Sequence, residues 1–112
     1  MDCEASLFKA LSDPLRLRLA ALLACCGETC VCHLATALEE PDYKVSRHLA
    51  VMRSAGLVHA RREGTWMHYR LSEERSPFLG RLTAFLRQAM TDNTVLAGDL
   101  ERIKKSACGV SR

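Results

Sequence analysis

The sequence predicts a mainly α-helical fold that carries one β-hairpin. Apolar residues recur at helical spacing along most of the chain, and two short strand-like runs flank Gly64. The 112 residues suit a single domain, and 48% of them are apolar, which is too many for a disordered chain. Because a domain of this size buries a modest core, we expect it to pair with a second copy.

The N-terminal part predicts a short helical segment followed by a core helix. The segment covers residues 6–11, and Asp13-Pro14 then supplies an N-cap and a first helical residue. Leucines at helical spacing continue to Gly27, which ends the core helix. These leucines are Leu15, Leu19, Leu22 and Leu23.

Residues 30–56 predict a helix-turn-helix. The first helix ends at a break over residues 39–42, and Asp42 is the expected N-cap of the second helix, which ends at Gly56. The second helix has one apolar stripe with basic and polar residues off it, an arrangement typical of this motif. The stripe consists of Val45, Leu49 and Met52.

A hairpin over residues 58–71 follows directly, with strands at Val58–Glu63 and Trp66–Leu71. A helix-turn-helix followed by such a hairpin describes a winged helix, in which we expect Trp66 and Tyr69 to pack the wing.

The last helical segment covers residues 77–105. It begins after Ser76, and Asp92-Asn93-Thr94 is a candidate interruption within it. Because the chain contains no linker, repeat or low-complexity stretch, we expect one domain over residues 1–112.

Basic charge is concentrated in the middle of the chain. Residues 44–70 contain six lysine or arginine residues and one acid, a balance of +5, whereas the rest has ten basic and twelve acidic residues, a balance of −2. Such a block is typical of a surface that binds phosphate groups. A solvated charged face would have the same composition, so charge alone leaves both interpretations open.

The chain has six cysteines, of which four fall within eight residues. The N-terminus has neither the basic nor the apolar region of a secretory signal, and no apolar run approaches the roughly 20 residues of a membrane span. We therefore expect a cytoplasmic chain with reduced thiols. Adjacent and alternate cysteines are poor long-range crosslinks but good ligands for soft metals. The cysteines are Cys25-Cys26, Cys30-x-Cys32, Cys3 and Cys108.

Four motifs in order resemble those of the ArsR/SmtB family of bacterial metal-responsive repressors. They are residues 8–16 (FKALSDPLR), 30–34 (CVCHL), 46–49 (SRHL) with 55–58 (AGLV), and 61–71 (RREGTWMHYRL). The resemblance implies a winged helix-turn-helix repressor of a metal or metalloid resistance operon. It also implies a homodimer formed through the N- and C-terminal helices, which releases DNA when an inducer binds.

The resemblance matches Cys30-x-Cys32 to the family's arsenic-sensing segment, which implies trivalent arsenic or antimony as the inducer. Such ions prefer thiolates, and the expected helix start at the pair would favour thiolate by lowering the thiol pKa. Some arsenic sensors carry a third cysteine where this chain has Ala35. The site would then have two sulfurs, or would recruit a third from Cys26, Cys25, Cys3 or Cys108.

Other interpretations of the cysteines stay open. Cys30 and Cys32 would be structural, or would form a redox switch with Cys25 or Cys26, or all four would hold zinc. A repressor on the same scaffold that responds to another soft metal, such as cadmium, lead or zinc, is a further alternative. A zinc site on the C-terminal helix is disfavoured because residues 72–112 contain no histidine. An enzyme is disfavoured because the sequence has neither a phosphate-cradling loop nor a Cys-x-x-Cys beside a βαβ pattern, and we expect no organic cofactor.

The basic block supplies the candidate contacts to double-stranded operator DNA. Side chains on the recognition helix reach base edges or phosphates in the major groove, and those on the wing reach phosphates or the minor groove. We expect inducer binding to reshape the start of the helix-turn-helix and so to shift the recognition helices. The candidates are Lys44, Ser46, Arg47, His48 and Arg53 on the recognition helix, and Arg61 and Arg62 on the wing.

Overall fold

The computed structural model describes residues 1–106, and Cys108 lies outside them. This part of the chain forms six helices and three strands. In chain order they are α1 (Asp2–Leu11), α2 (Pro14–Cys26), β1 (Thr29–Cys30), α3 (Val31–Leu38), α4 (Asp42–Ser54), β2 (Val58–Glu63), β3 (Trp66–Leu71), α5 (Pro77–Ala89) and α6 (Thr94–Ser106). The helices and the small sheet confirm the predicted fold class. Within residues 1–106 no helix is long and apolar enough to cross a membrane.

Helix α2 is the centre of the core. The Asp13 carboxylate accepts hydrogen bonds from the backbone N–H groups of Leu15 and Arg16, so the predicted cap forms and Pro14 occupies the first turn. The helix ends at Gly27, whose φ of +77° favours glycine. Residues 19–24 are all buried, which lets α2 pack against α1, α4, α5 and α6.

Helices α3 and α4 form the helix-turn-helix. Helix α3 ends at Glu39, whose backbone lies in the left-handed region. The predicted N-cap at Asp42 is wrong by one residue, because Pro41 occupies the capping position and Asp42 is the first residue of α4. Leu34 from α3 and Leu49 from α4 are fully buried in one core. The two helices therefore form one packed unit.

The wing sheet has one strand more than the sequence predicts. Strands β2 and β3 pair antiparallel around Gly64, and β1 pairs with the other edge of β3, so the order is β1-β3-β2. Thr29 pairs with Tyr69, and Cys30 pairs with His68. Strand β1 has two residues, which are too few to show an alternating strand pattern in the sequence. The pairing ties the segment before α3 directly to the wing.

Two helices occupy the segment for which the sequence predicts one helix over residues 77–105. Ser76 caps α5 by accepting a hydrogen bond from the Leu79 N–H, and Asn93 caps α6 by accepting one from the Leu96 N–H. The break therefore coincides with the candidate interruption at residues 92–94. Helix α6 turns back and packs against α3 of the same protomer.

A buried carboxylate fixes α6 in that position. Asp99 is fully buried and accepts two hydrogen bonds from Arg18 of α2, at 3.0 and 2.8 Å. Arg102 donates to the same carboxylate at 2.7 Å and to the Ala37 carbonyl near the end of α3 at 2.6 Å. Asp99 thus joins three helices through two arginines.

Candidate thiol site and nucleic-acid surface

The cysteines of the Cys-x-Cys pair lie together at the start of α3. Cys30 ends β1 and precedes the first helical residue, and Cys32 lies in the first turn. Their Sγ atoms are 2.9 Å apart, and both thiols are free. Because a thiolate sulfur binds a metal at about 2.3 Å, two sulfurs on one ion lie at most about 4.6 Å apart. The pair is close enough to bind one soft ion together.

The environment of Cys32 raises its thiol pKa rather than lowering it. Burial is the largest cause and the neighbouring Cys30 the next, and together they raise the pKa to about 11. The backbone N–H of His33 acts in the opposite direction, as a helix start should, but is outweighed. The expectation of an activated thiolate does not hold for this side chain, because burial dominates.

A cavity of about 380 Å³ opens beside the two sulfurs, between α3 and the tip of the wing. The sequence does not predict this neighbourhood, because it depends on the register that places His68 beside Cys30. Trp66, at the start of β3, is 56% exposed and lines this cavity instead of packing inside the wing, whereas Tyr69 is buried as expected. The lining residues are Cys30, Cys32, His33, Glu63, Trp66 and His68.

Among residues 1–106, no third thiol joins the pair. Cys25 and Cys26 are exposed at the end of α2, and Cys3 is exposed on α1. Although Cys26 is exposed as a residue, partial desolvation of its thiol, and then the neighbouring Cys25, raise its pKa, while Lys104 of α6 lowers it. Across residues 1–106 no three cysteine, histidine, aspartate or glutamate side chains are grouped to hold a metal ion. Within that part of the chain the site has two sulfurs.

The outer face of α4 presents several of the predicted DNA contacts. Ser46, Arg47 and Arg53 are exposed, and the Arg47 guanidinium lies 5.7 Å from the centre of the Tyr43 ring. Lys44 forms an ion pair with Glu40 at 3.1 Å across the turn before α4. These side chains form a polar and basic surface on the second helix of the motif, as the sequence predicts.

His48 has a structural contact in addition to its predicted place on this face. Arg16 donates a hydrogen bond to its Nδ1 at 3.2 Å, and the Asp13 carboxylate lies 3.9 Å from the same atom. Its side chain is 21% exposed. The contacts of His48 with Arg16 and Asp13 therefore connect α4 to the start of α2.

The wing carries Arg61 and Arg62 exposed on β2. Arg61 donates two hydrogen bonds to Glu28, at 3.1 and 2.7 Å, and this contact is the largest cause that lowers the pKa of the Glu28 carboxyl. Glu28 is two residues before Cys30. An ion pair therefore connects the wing to the segment that carries the thiols, and no local sequence pattern predicts this contact.

Comparisons with known proteins agree with this arrangement. A family model described as "Bacterial regulatory protein, arsR family" matches residues 13–60, which include both helices of the motif and the thiol pair. The chain is 37% identical over 114 residues to the arsenic resistance transcriptional regulator ArsR2 of Pseudomonas putida, covering 96% of this chain and 99% of that protein.

Two further proteins are similar over part of the chain. An arsenical resistance operon repressor of Escherichia coli is 53% identical over 66 residues, which cover 59% of this chain and 56% of the repressor. The homodimeric winged helix-turn-helix DNA-binding domain Mb0332 of Mycobacterium bovis has a TM-score of 0.66 and 38% identity, over 79% of this chain and 78% of that one.

Proposed function

Since the chain belongs to the arsR family of bacterial regulatory proteins, we propose that it is a metalloid-responsive repressor that releases operator DNA when trivalent arsenic or antimony binds Cys30 and Cys32. The family is one of bacterial regulatory proteins, and the two relatives named for arsenic resistance are an operon repressor and a transcriptional regulator, not enzymes. Arsenite or antimonite as the ligand, and the residues assigned to it, are our proposal.

The observation that carries the proposal is the contact between the two thiols and the wing sheet. Two sulfurs 2.9 Å apart are a donor set for a soft ion, and Cys30 also belongs to a strand of the wing sheet. An ion that binds both sulfurs changes the distance between them and therefore acts on β1 and α3 at once. Both elements are attached to the surface that we assign to DNA.

Two routes lead from the thiols to that surface. One runs through α3 into α4, whose apolar sides share the core around Leu34 and Leu49. The other runs along β1 to β3 and through the ion pair of Glu28 with Arg61. Sequence analysis predicts the first route alone. We propose that a shift at Cys30 displaces the wing and the recognition helix together.

A homodimer would supply the second recognition helix. Phe8 on α1 and Phe85 on α5 are 54% and 62% exposed, and Phe8 stacks edge-on against Phe78 of α5 at 5.7 Å. Exposed aromatic residues on adjoining helices are typical of an association surface. The homodimeric neighbour from Mycobacterium bovis supports this assembly. A two-fold axis would place the recognition helices about 34 Å apart, on successive major grooves.

Operator binding with and without arsenite tests the proposal. The probe is a labelled duplex from upstream of the chain's own gene, and fluorescence anisotropy gives the affinity. Arsenite should weaken DNA binding of the parent chain by about 5- to 150-fold, the usual range of coupling between two sites. The Cys30→Ser, Cys32→Ser variant should bind the duplex as the parent does and should not release it.

Further cysteine variants assign the remaining thiols. Cys25→Ser, Cys26→Ser and Cys108→Ser should each respond as the parent does if the pair is sufficient. A normal response to arsenite in the variant that lacks Cys30 and Cys32 would contradict the proposal. A response to oxidant alone, lost without Cys25 and Cys26, would assign the chain to redox sensing instead.

A further inference from the structure

We propose that a groove between α1 and the C-terminal half of α4 binds a phosphate of the operator backbone, so that α1 adds a contact to DNA beyond the recognition helix and the wing. The inference deepens the proposed function and rests on it for the role of α4. It assigns Lys9 and Arg16 to the DNA surface, although both precede the basic block of residues 44–70. The polar residues that line the groove are Ser6, Lys9, Arg16 and Ser54.

The position of the groove beside α4 gives the first argument. Arg47, Val51 and Ser54 are spaced at i, i+4 and i+7, so they lie along one side of the helix. All three are exposed, and the last two line the groove. Side chains on the flank of a helix in the major groove reach the sugar–phosphate backbone. Helix α1 contacts α4 on this flank, so it borders the path of that backbone.

The Arg16 guanidinium is held in place at the side of the groove. Its Nε donates a hydrogen bond to the Ala10 carbonyl at 2.6 Å, and its Nη1 donates one to His48 Nδ1 at 3.2 Å. Within residues 1–106 its Nη2 donates to no protein atom. The Asp13 carboxylate also lies near Arg16, but it caps α2 and does not line the groove. A planar cation with a donor left over is well suited to a phosphate oxygen.

The Lys9 ammonium carries a charge that no protein acid neutralises. In the described part of the chain Lys9 takes part in no ion pair, and the groove lining contains no acidic residue. Two of the predicted DNA contacts differ in this respect. Lys44 is paired with Glu40, and Arg61 is paired with Glu28. A phosphate can therefore bind Lys9 without displacing a carboxylate.

The size and remaining polar groups of the groove also suit a phosphate. Its volume is about 310 Å³, and a water molecule occupies about 30 Å³ in the liquid. The groove thus has room for one phosphate group and several bridging waters. Ser6 and Ser54 add hydroxyl groups, which donate hydrogen bonds to phosphate oxygens in protein–DNA contacts.

The salt dependence of operator binding tests the contact of Lys9 with a phosphate. Each phosphate that a protein neutralises contributes about −0.9 to the slope of log affinity against log salt, and a dimer would lose two contacts. Lys9→Met should make the slope shallower by about 1.8 and weaken binding about tenfold at about 0.1 M salt. A duplex of unrelated sequence should lose as much, because a phosphate contact reads no base. Anisotropy titrations of the full chain without arsenite give both quantities.

Three further variants separate charge at the groove from net charge. Lys105→Met makes the same change in charge at an exposed residue of α6, which packs against α2 and α3, and should behave as the parent does. Lys9→Arg should keep the slope and the affinity of the parent. Ser54→Ala removes a neutral donor, so it should weaken binding about threefold with an unchanged slope.

Duplexes that carry one neutral phosphate locate the contact. A methylphosphonate, which replaces a charged oxygen by a methyl group, is placed at one backbone position of a half-site at a time. At one position it should weaken binding of the parent by about threefold, since one protomer loses its contact. At that position it should have no effect on Lys9→Met and its full effect on Lys105→Met.

Four results would overturn the inference. They are a parental salt slope in Lys9→Met, an equal loss of affinity in Lys105→Met, additive effects of Lys9→Met and the methylphosphonate at every position, and a monomeric Lys9→Met in sedimentation experiments. The last result would place Lys9 in the dimer contact instead. Because these titrations contain no arsenite, they are independent of the proposed response to metalloid. That proposal fails separately, if arsenite does not release the operator from the parent chain.

Discussion

The thiol of Cys32 illustrates how much one residue depends on its surroundings. At neutral pH a group with a pKa near 11 is almost entirely protonated, and its nucleophilicity is correspondingly low. We expect alkylation of Cys32 by iodoacetamide, followed by mass spectrometry, to be slow at pH 8 and to accelerate up to about pH 11. A free thiol peptide should reach its maximum rate at lower pH. An equal profile for the two would contradict the buried environment.

The same shift has a consequence for stability. The folded-state pKa of Cys32 lies above the ordinary value of 9.0, so the fold favours the protonated thiol. Its contribution to the free energy of unfolding is fully present below pH 9 and is lost as the pH rises from 9 through about 11.

Under the proposed function, the Glu28 carboxylate would compete with DNA phosphates for Arg61. Glu28→Gln removes this ion pair and leaves Arg61 with its longer contact to Glu63 at 3.6 Å. The guanidinium is then more available to a phosphate, so operator affinity should rise by about two- to fivefold, as expected for an exposed pair. The response to arsenite should weaken, because one route between thiols and wing is broken. Anisotropy titrations with and without arsenite measure both effects.

Glu101→Gln serves as the control for that experiment. It makes the same change in charge at an exposed residue of α6, whereas the acids paired with Arg61 are Glu28 and Glu63. If both variants gained the same affinity, the effect would be net charge alone and the ion pair would have no special role.

At the level of elements, α6 depends on the Asp99 carboxylate. Asp99→Asn leaves Arg18 and Arg102 without their shared anion, and breaking a buried ion pair in this way is strongly destabilising. We expect a loss of about 3 kcal/mol, at the low end because both arginines are partly exposed. Urea unfolding followed by circular dichroism measures it. Asp92→Asn, in the exposed connection before α6, should change stability little.

Elements with a strong local pattern were predictable, and those formed by long-range contacts were not. Strands β2 and β3 have the predicted bounds, since a turn glycine lies between two β-type runs. Strand β1 is too short to have a period, and its pairing joins residues about forty positions apart. The fold of α6 onto α3 depends on Asp99, which the sequence presents as one more acid on a helix.

The candidate site likewise contains some residues that the sequence predicts and others that depend on long-range contacts. Cys30 and Cys32 were identified from their spacing and from the family motif. Trp66, His68 and Glu63 were not associated with them, because only the register of β1 on β3 brings the wing to the thiols. The prediction of a lowered thiol pKa is wrong for Cys32 for a related reason, since burial is set by tertiary packing and not by position along a helix.

At the scale of the whole molecule, the exposed aromatic residues should form the dimer contact. Phe85→Glu places a charge on the proposed interface without disturbing the protomer core, because the Phe85 side chain is already 62% exposed. The expected result is a folded monomer in sedimentation experiments, with operator affinity lowered by about 100-fold through loss of two-site binding. A variant that remained dimeric would place the interface elsewhere.

Helix α3 is held at its two ends by different parts of the molecule. The sheet holds its thiol end, and Arg102 of α6 holds the Ala37 carbonyl near the other. An eight-residue helix is about 12 Å long, so a 1 Å displacement at the thiols with the far end fixed is a rotation of about 5°. The attachment to α6 is then the fixed point about which α3 rotates. On the mechanism proposed above, the stiffness of this attachment determines how much of a displacement at the thiols becomes angular motion of α3 and of the helix α4 packed against it.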